Sequence, residues 1–230
     1  MEEFSYQEIF ISNHQNCSIP IYKTIYKEIN KYIHKLINKY SRIKDQIKYK
    51  EQKFICLDCE TTGLDPDEAE ILSLSIVNQE GVVLFDEKFK PEKHNSWDSA
   101  EAVHGIKPTD VENKPFIKEK LDDIRTILNQ YQMIIGYNIT FDLRCIAKAF
   151  GKEFFFDIVS DFNSVDVMHL FAPIYGEKSD KWGYKWQTLE TCAKYYGYKF
   201  KAHNSLEDVK ATIYCYNKIM EQKLFIDEVE

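Results

Sequence analysis

The 230 residues hold 44% apolar and 29% charged side chains, enough for one domain with a sizeable core and a well-solvated surface. Gly and Pro number 8 and 6, which excludes a collagen-like, low-complexity or linker-dominated chain. Lys and Arg number 30 against 37 Asp and Glu, a net charge of −7. That balance argues against a chain coated in positive charge for nonspecific DNA binding, but not against a nucleic-acid enzyme that uses divalent ions and a local basic patch.

No apolar run approaches the ~18 residues of a membrane span. The opening MEEFSYQEIF is acidic and lacks the basic-then-apolar order of a signal peptide. The six cysteines (17, 56, 59, 145, 192 and 215) follow no small-scaffold pattern, so a cytoplasmic protein with reduced thiols is expected.

Charge divides the chain near Lys53. Residues 1–53 carry 10 Lys/Arg and 6 Asp/Glu, and residues 54–230 carry 20 and 31. The first segment reads as a basic helical extension. After Pro20, a residue suited to a helix start, apolar side chains recur at Tyr22, Tyr26, Ile29, Ile33, Leu36, Tyr40, Ile43 and Ile47. The alternating steps of four and three make a heptad seam with lysines off it. Three readings stay open: a long helix packed on the main domain, a homodimer or partner contact through residues 20–50, and a basic face for nucleic acid. Tyrosine at three seam positions weakens the coiled-coil reading.

The main domain is expected over residues 54–222, with a tail at 223–230. Phe54–Leu57 reads as a buried strand, and Ile71–Val77 and Val82–Phe89 as two more, joined by a turn at Gln79-Glu80-Gly81. A short helix is expected at Ala100–His104 and a longer one over Pro115–Tyr131. Met133–Tyr137 reads as a strand, Phe141–Phe150 as a helix and Phe154–Ile158 as a short strand. Val165–Tyr175, Gln187–Tyr196 and Leu206–Met220 show helical periodicity. Three early strands followed by alternating strands and helices predict an α/β domain with a mixed sheet.

Three constellations carry chemistry. Asp58-Cys59-Glu60 follows the first strand, and alternation in an extended chain puts both carboxylates on one face. At about 4 Å and an effective dielectric near 20 their repulsion costs roughly 4 kcal/mol, which a cation or a raised pKa must offset. Taken alone, D-x-E also fits an exposed acidic loop. Gly136-Tyr137-Asn138-Ile139-Thr140-Phe141-Asp142 runs from a strand into a helix, where Asp142 also suits a helix-dipole role. His203-Asn204-Ser205-Leu206-Glu207-Asp208 precedes an apolar helix, with Ser205 the expected N-cap and Asp208 at the third helical position. Cys56 and Cys59 form a C-x-x-C, but no second pair or matching His pair supports a zinc or redox site.

Taken in order, FICLDCETTGL, GYNITFD and HNSLEDV resemble the three motifs of the DEDDh-type, DnaQ-like 3′–5′ exonucleases, the group that includes proofreading exonucleases, oligoribonucleases and RNase T. The resemblance covers about residues 54–222, and Ala102-Val103-His104-Gly105-Ile106 resembles a further family segment. It implies a ribonuclease-H-like mixed five-stranded sheet flanked by helices. It also implies two divalent ions, Mg²⁺ or Mn²⁺, held by Asp58, Glu60, Asp142 and Asp208, a donor set suited to hard cations. His203 is the implied general base. Thr61, Thr62, Gly63 and Leu64 are implied to hold the terminal nucleotide, with His104, Asn138 and Phe141 lining the same cleft. His104 is the rival base but ranks as a cleft or structural residue.

The resemblance implies hydrolysis at the 3′ end of single-stranded or frayed nucleic acid, DNA favoured and RNA possible, releasing nucleoside 5′-monophosphates. The competing expectation is a catalytically dispensable nucleic-acid-binding or assembly subunit, docked to a polymerase or defence complex through the N-terminal helix. Trp182, Tyr184 and Trp186 among Lys178, Lys181 and Lys185 suit either single-strand stacking or core and surface packing.

Overall fold

The structure, a computed structural model, describes residues 27, 29–36, 53–151, 163–180 and 183–226, with side chains to 222. The chain divides into two units, Met1–Glu51 and Gln52–Glu230. In the first, residues 29–36 are helical, and Ile29, Ile33 and Leu36 of the heptad seam are exposed. Pro20, the rest of that seam, the expected strand at Phe154–Ile158, and Lys181 and Trp182 lie outside the described residues.

The second unit is built on strands β1 (Phe54–Thr61), β2 (Ile71–Asn78), β3 (Val83–Lys88), β4 (Met133–Gly136) and β5 (Asn163–Asp166). Their order is β3-β2-β1-β4-β5, antiparallel across the first three and parallel from β1 to β4 to β5. The mixed five-stranded sheet matches expectation. The first three strands are joined locally, and the Gly81 turn is closed by its N–H to Asn78 O and by Val82 N–H to Asn78 Oδ1. The parallel strands need helical crossovers.

Those helices are α1 (Asp98–His104), α2 (Pro108–Val111), α3 (Leu121–Leu128), α4 (Ile139–Phe150), α5 (Val167–Tyr175), α6 (Leu189–Tyr195) and α7 (Ser205–Ile226), and a two-stranded hairpin of β6 (Lys178–Ser179) and β7 (Gly183–Tyr184) lies between α5 and α6. Alternation along β1 sorts its side chains between two cores. Ile55, Leu57 and Cys59 pack with Ile124 of α3 and Leu143 and Ile146 of α4. Phe54 and Cys56 pack on the other face with Phe171 of α5, Cys192 of α6 and Val209 of α7. Asp58 and Glu60 continue this second row, so the same alternation that builds the core aims both carboxylates toward α7.

Several boundaries differ from expectation. β1 runs on to Thr61 and so takes in Asp58-Cys59-Glu60, and the last helix reaches Ile226, into the expected tail. The fifth strand includes Val165 and Asp166, which helical periodicity had assigned to the helix starting at Val165. Asn163-Ser164-Val165-Asp166 is too short and polar to announce itself, and pairing with β4 makes it a strand. The residue capping α7 is Asn204, whose Oδ1 accepts from Glu207 N at 3.2 Å, and not Ser205. Ser205 is buried and its hydroxyl is spent elsewhere.

Candidate active site

The C-terminal end of β1 gathers the acidic motifs. One carboxylate oxygen each from Asp58, Glu60 and Asp208 lies within 4.8 Å of the others, a grouping able to hold a metal ion. Asp58 and Glu60 come from β1, and Asp208 from the first turn of α7. Asp142 stands outside this three-residue group. It is 4% exposed, and its Oδ1 accepts the Cys59 N–H at 2.9 Å, so it braces the strand between the two β1 carboxylates.

The cluster is under electrostatic load. Burial, then the charges of Asp142, Asp208 and Glu60, push the Asp58 carboxyl well above its ordinary range. Burial and the charges of Asp208 and Asp142 raise Glu60 to about 8. Burial raises Asp142 to about 7 against hydrogen bonds that lower it, and Asp208 to about 6 despite the opposing pull of His203. Asp208 Oδ1 is buried without a hydrogen-bond partner. An orphaned carboxylate oxygen among mutually repelling acids is what a hard cation would satisfy, so the donor set fits a divalent metal.

Asn138 and His203 are the two non-glycine residues with positive φ among the described residues, at 61° and 63°. Both belong to the predicted constellations, and such backbone strain concentrates at functional sites. Asn138 turns the chain from β4 into α4, and its N–H donates to Asp166 Oδ1 at 3.0 Å. Gly136 just before it has no room for a side chain, since a Cβ there would lie 2.9 Å from the Ile139 Cβ. Phe141, one turn into the same helix, is half-buried beside Asp142. The His203 side chain is exposed, and its Nε2 lies 3.6 Å from Glu190 Oε1 of α6. Glu190 carries no motif signal in the sequence, and only the fold brings it beside His203.

The Thr61–Leu64 turn is braced internally. Thr61 Oγ1 donates to Gly63 O at 2.7 Å, and Thr62 exchanges two hydrogen bonds with Glu70, leaving Leu64 93% exposed at the tip. His104 buttresses the turn from α1. Its Nδ1 accepts the Ile106 N–H at 3.0 Å, so the ring proton sits on Nε2, which donates to Thr61 O at 3.2 Å. Burial, with His203 and Lys88 nearby, lowers its pKa, in keeping with a neutral imidazole. Both nitrogens are occupied, which fits the structural role and leaves His104 no free base.

Three buried serines join α7 to the sheet. Ser205 Oγ lies 2.8 Å from both Ser73 Oγ and Ser75 Oγ, and Ser75 Oγ donates to Asp86 Oδ1 at 2.8 Å. Of the aromatic and basic segment, Lys178 sits 4.0 Å over the Tyr184 ring and Lys185 pairs with Glu177 at 2.9 Å. Trp186 stays 47% exposed.

A mixed sheet with three carboxylates converging at one strand end, and a histidine on the adjoining loop, is an arrangement able to hold a metal ion beside a candidate base. Residues 55–216 match the family described as Exonuclease (RNase_T), and the chain belongs to that family. It is 33% identical over 172 residues to the uncharacterized exonuclease CP81 of Escherichia phage 186, covering 72% of this chain and 87% of that one. It is 30% identical over 182 residues to RNA exonuclease 4 of Saccharomyces cerevisiae, covering 77% and 58%. Among solved structures, E. coli Exonuclease I in complex with a dA16 oligonucleotide superposes with a TM-score of 0.60 at 21% identity. That match covers 75% of this chain and 41% of the other, so the chain spans less than half of that relative. The likeness establishes the ribonuclease-H-like exonuclease fold. Among the described residues no helix is long and apolar enough to cross a membrane.

Proposed function

We propose that this protein is a metal-dependent 3′–5′ exonuclease that removes nucleoside 5′-monophosphates from single-stranded or frayed ends, with DNA favoured over RNA. The observation that carries this reading is the convergence of Asp58, Glu60 and Asp208 within 4.8 Å, braced by the Asp142 contact to Cys59. Asp58, Glu60 and Asp208, together with Asp142, would hold two divalent ions. When bound, such ions offset the carboxylate charge and polarise the phosphodiester.

The chain's own residues do the rest. The Thr61–Leu64 turn, stiffened by His104 and Glu70, receives the terminal nucleotide, with Leu64 set to wedge against its base. Asn138 and Phe141 line the facing wall. His203 takes a proton from the attacking water on Nε2, the nitrogen that lies 3.6 Å from Glu190 Oε1. The water oxygen bonds to the terminal phosphorus, the bond from phosphorus to the preceding O3′ breaks, and that oxygen takes a proton from solvent while His203 returns its own to solvent. The terminal nucleotide leaves as its 5′-monophosphate. The five described cysteines are buried free thiols, which supports a reducing, cytoplasmic setting.

The test is a digest of 5′-labelled single-stranded DNA, single-stranded RNA and mismatched duplex, with Mg²⁺, Mn²⁺ or EDTA. A descending ladder with metal, abolished by a 3′ block, is expected. An unchanged digest of the 3′-blocked strand would overturn the polarity.

A further inference from the structure

The site is asymmetric about β1. The Thr61–Leu64 turn leads from β1 to β2, whereas Asn138 follows β4 and Asp166 ends β5, on the opposite side of β1 in the sheet. A strand whose last nucleotide rests on the turn and whose scissile phosphate reaches the carboxylates must run on toward the β4–β5 side. That side is rimmed by the segment from Trp186 to Glu190. Tyr137, next to Asn138, donates its hydroxyl to Gln187 O and Thr188 O, each at 3.0 Å. Glu190, four residues after Trp186, reaches His203. The segment therefore joins the second motif to the third, and Trp186 stands at its outer end.

Trp186 is 47% exposed and its flanks are fixed. Gln187 Nε2 donates to Glu177 Oε2 at 2.9 Å, and Lys185 N donates to Glu177 O at 2.8 Å, which pins the chain on both sides of the ring. His169 backs the indole, with centroids 5.0 Å apart and planes inclined by 44°. His169 lies in the first turn of α5, which Asp166 caps while also accepting the Asn138 N–H. A half-exposed aromatic ring, fixed at its flanks beside a phosphodiester-cleaving site, is a preorganised stacking surface.

We infer that Trp186, backed by His169, is a stacking subsite for an unpaired base on the 5′ side of the scissile bond. The inference rests on the 3′–5′ exonuclease reading, which supplies the direction of the strand. Stacking of a base on an aromatic side chain tolerates any base and requires that the base be unpaired. It gives the protein a grip on single strands beyond the terminal nucleotide.

The test measures binding and turnover separately. Fluorescence anisotropy, in Ca²⁺ or EDTA, compares wild type, Trp186→Ala and Trp186→Phe on a 12-nucleotide DNA strand and on the same strand carrying abasic nucleotides two to four positions from its 3′ end. Trp186→Ala is expected to weaken binding of the intact strand about tenfold, with Trp186→Phe recovering most of it. On the abasic strand, wild type and Trp186→Ala are expected to bind alike. Equal affinities on the intact strand, or an equal loss on both strands, would overturn the subsite. A melting curve of each variant ties any loss to the ring and not to misfolding. Release of the terminal nucleotide by wild type in Mn²⁺ tests the exonuclease reading alone: its absence would sink that reading and leave the affinity comparison to judge Trp186.

Discussion

The amide of Cys59 donates to the Asp142 carboxylate across 2.9 Å, joining residues 83 positions apart in the chain. The contact fixes the start of α4 against the middle of the D-x-E segment. Asp142 is therefore both an acid of the cluster and the brace that sets its spacing. Its dual use explains why the three-residue grouping closes around Asp58, Glu60 and Asp208 with Asp142 behind it.

The load on these acids predicts how stability depends on pH. Each has its carboxyl raised in the fold: Asp58 well above its ordinary range, Glu60 to about 8, Asp142 to about 7 and Asp208 to about 6. Without metal, the folded chain then binds more protons than the unfolded chain between about pH 4 and pH 8, so stability falls as pH rises through that window. Melting in EDTA should give a Tm that declines from pH 5 to pH 8.5. Excess Mg²⁺ or Mn²⁺ should flatten or reverse the slope, adding about 2.7 kcal/mol at a hundredfold excess over Kd. A metal-free Tm that climbs across this range would contradict the reading.

Neutralising one acid should separate stability from function. Glu60→Gln keeps the side chain's shape while removing an acid that the fold must hold either charged beside Asp208 and Asp142 or protonated far above its ordinary pKa. The metal-free variant should be more stable than wild type by roughly 0.5–2 kcal/mol in urea denaturation, the usual gain where an active site stores strain. Nuclease activity should fall by at least about a hundredfold. A destabilised variant with normal activity would remove Glu60 from the cluster.

The two histidines predict different kinetic signatures. His203 is exposed with positive φ beside Glu190, whereas both nitrogens of His104 are engaged. His203→Ala should lower kcat by about 10²–10⁴ with little change in strand affinity. His104→Ala frees the Thr61 carbonyl and loosens the nucleotide turn, so its main effect should be a higher KM. Single-turnover assays with anisotropy binding would expose a reversal of these roles.

The three motifs were legible because each is a contiguous run at the end of an element, where strand alternation or a helix start dictates side-chain direction. The sheet was legible because Phe54–Leu57, Ile71–Val77 and Met133–Ile135 are apolar enough to require burial. β5 was hidden by its polarity, since only pairing with β4 makes Asn163–Asp166 a strand. The lock on His104, the approach of Glu190 to His203 and the Tyr137 hydroxyl contacts all join distant segments. No local pattern announces such contacts. Ser205 misled for a further reason: serine is a good N-cap, and nothing nearby in sequence shows that Asn204 does the capping while Ser205 faces the sheet.

That serine supports the last prediction. A carboxylate only accepts, so Asp86 fixes the Ser75 proton toward itself. Ser75 then accepts from Ser205, and Ser205, its proton spent, accepts from Ser73. The chain of hydroxyls thus has one direction, from Ser73 to Asp86, and it clamps the start of α7 to β2, beside the strand that bears Asp58 and Glu60. Ser205→Ala breaks both inner links and should cost about 1–3 kcal/mol in urea denaturation, since two largely buried hydroxyls lose a partner. By loosening the seat of Asp208 it should also raise the Mn²⁺ concentration needed for half-maximal activity. Asp86→Asn lets the amide nitrogen donate to Ser75 and removes the bias that orders the chain, so Asp86→Asn and Ser205→Ala should be less than additive in a double-mutant cycle. Full additivity, with an unchanged metal requirement in both variants, would show that the serines only fill space.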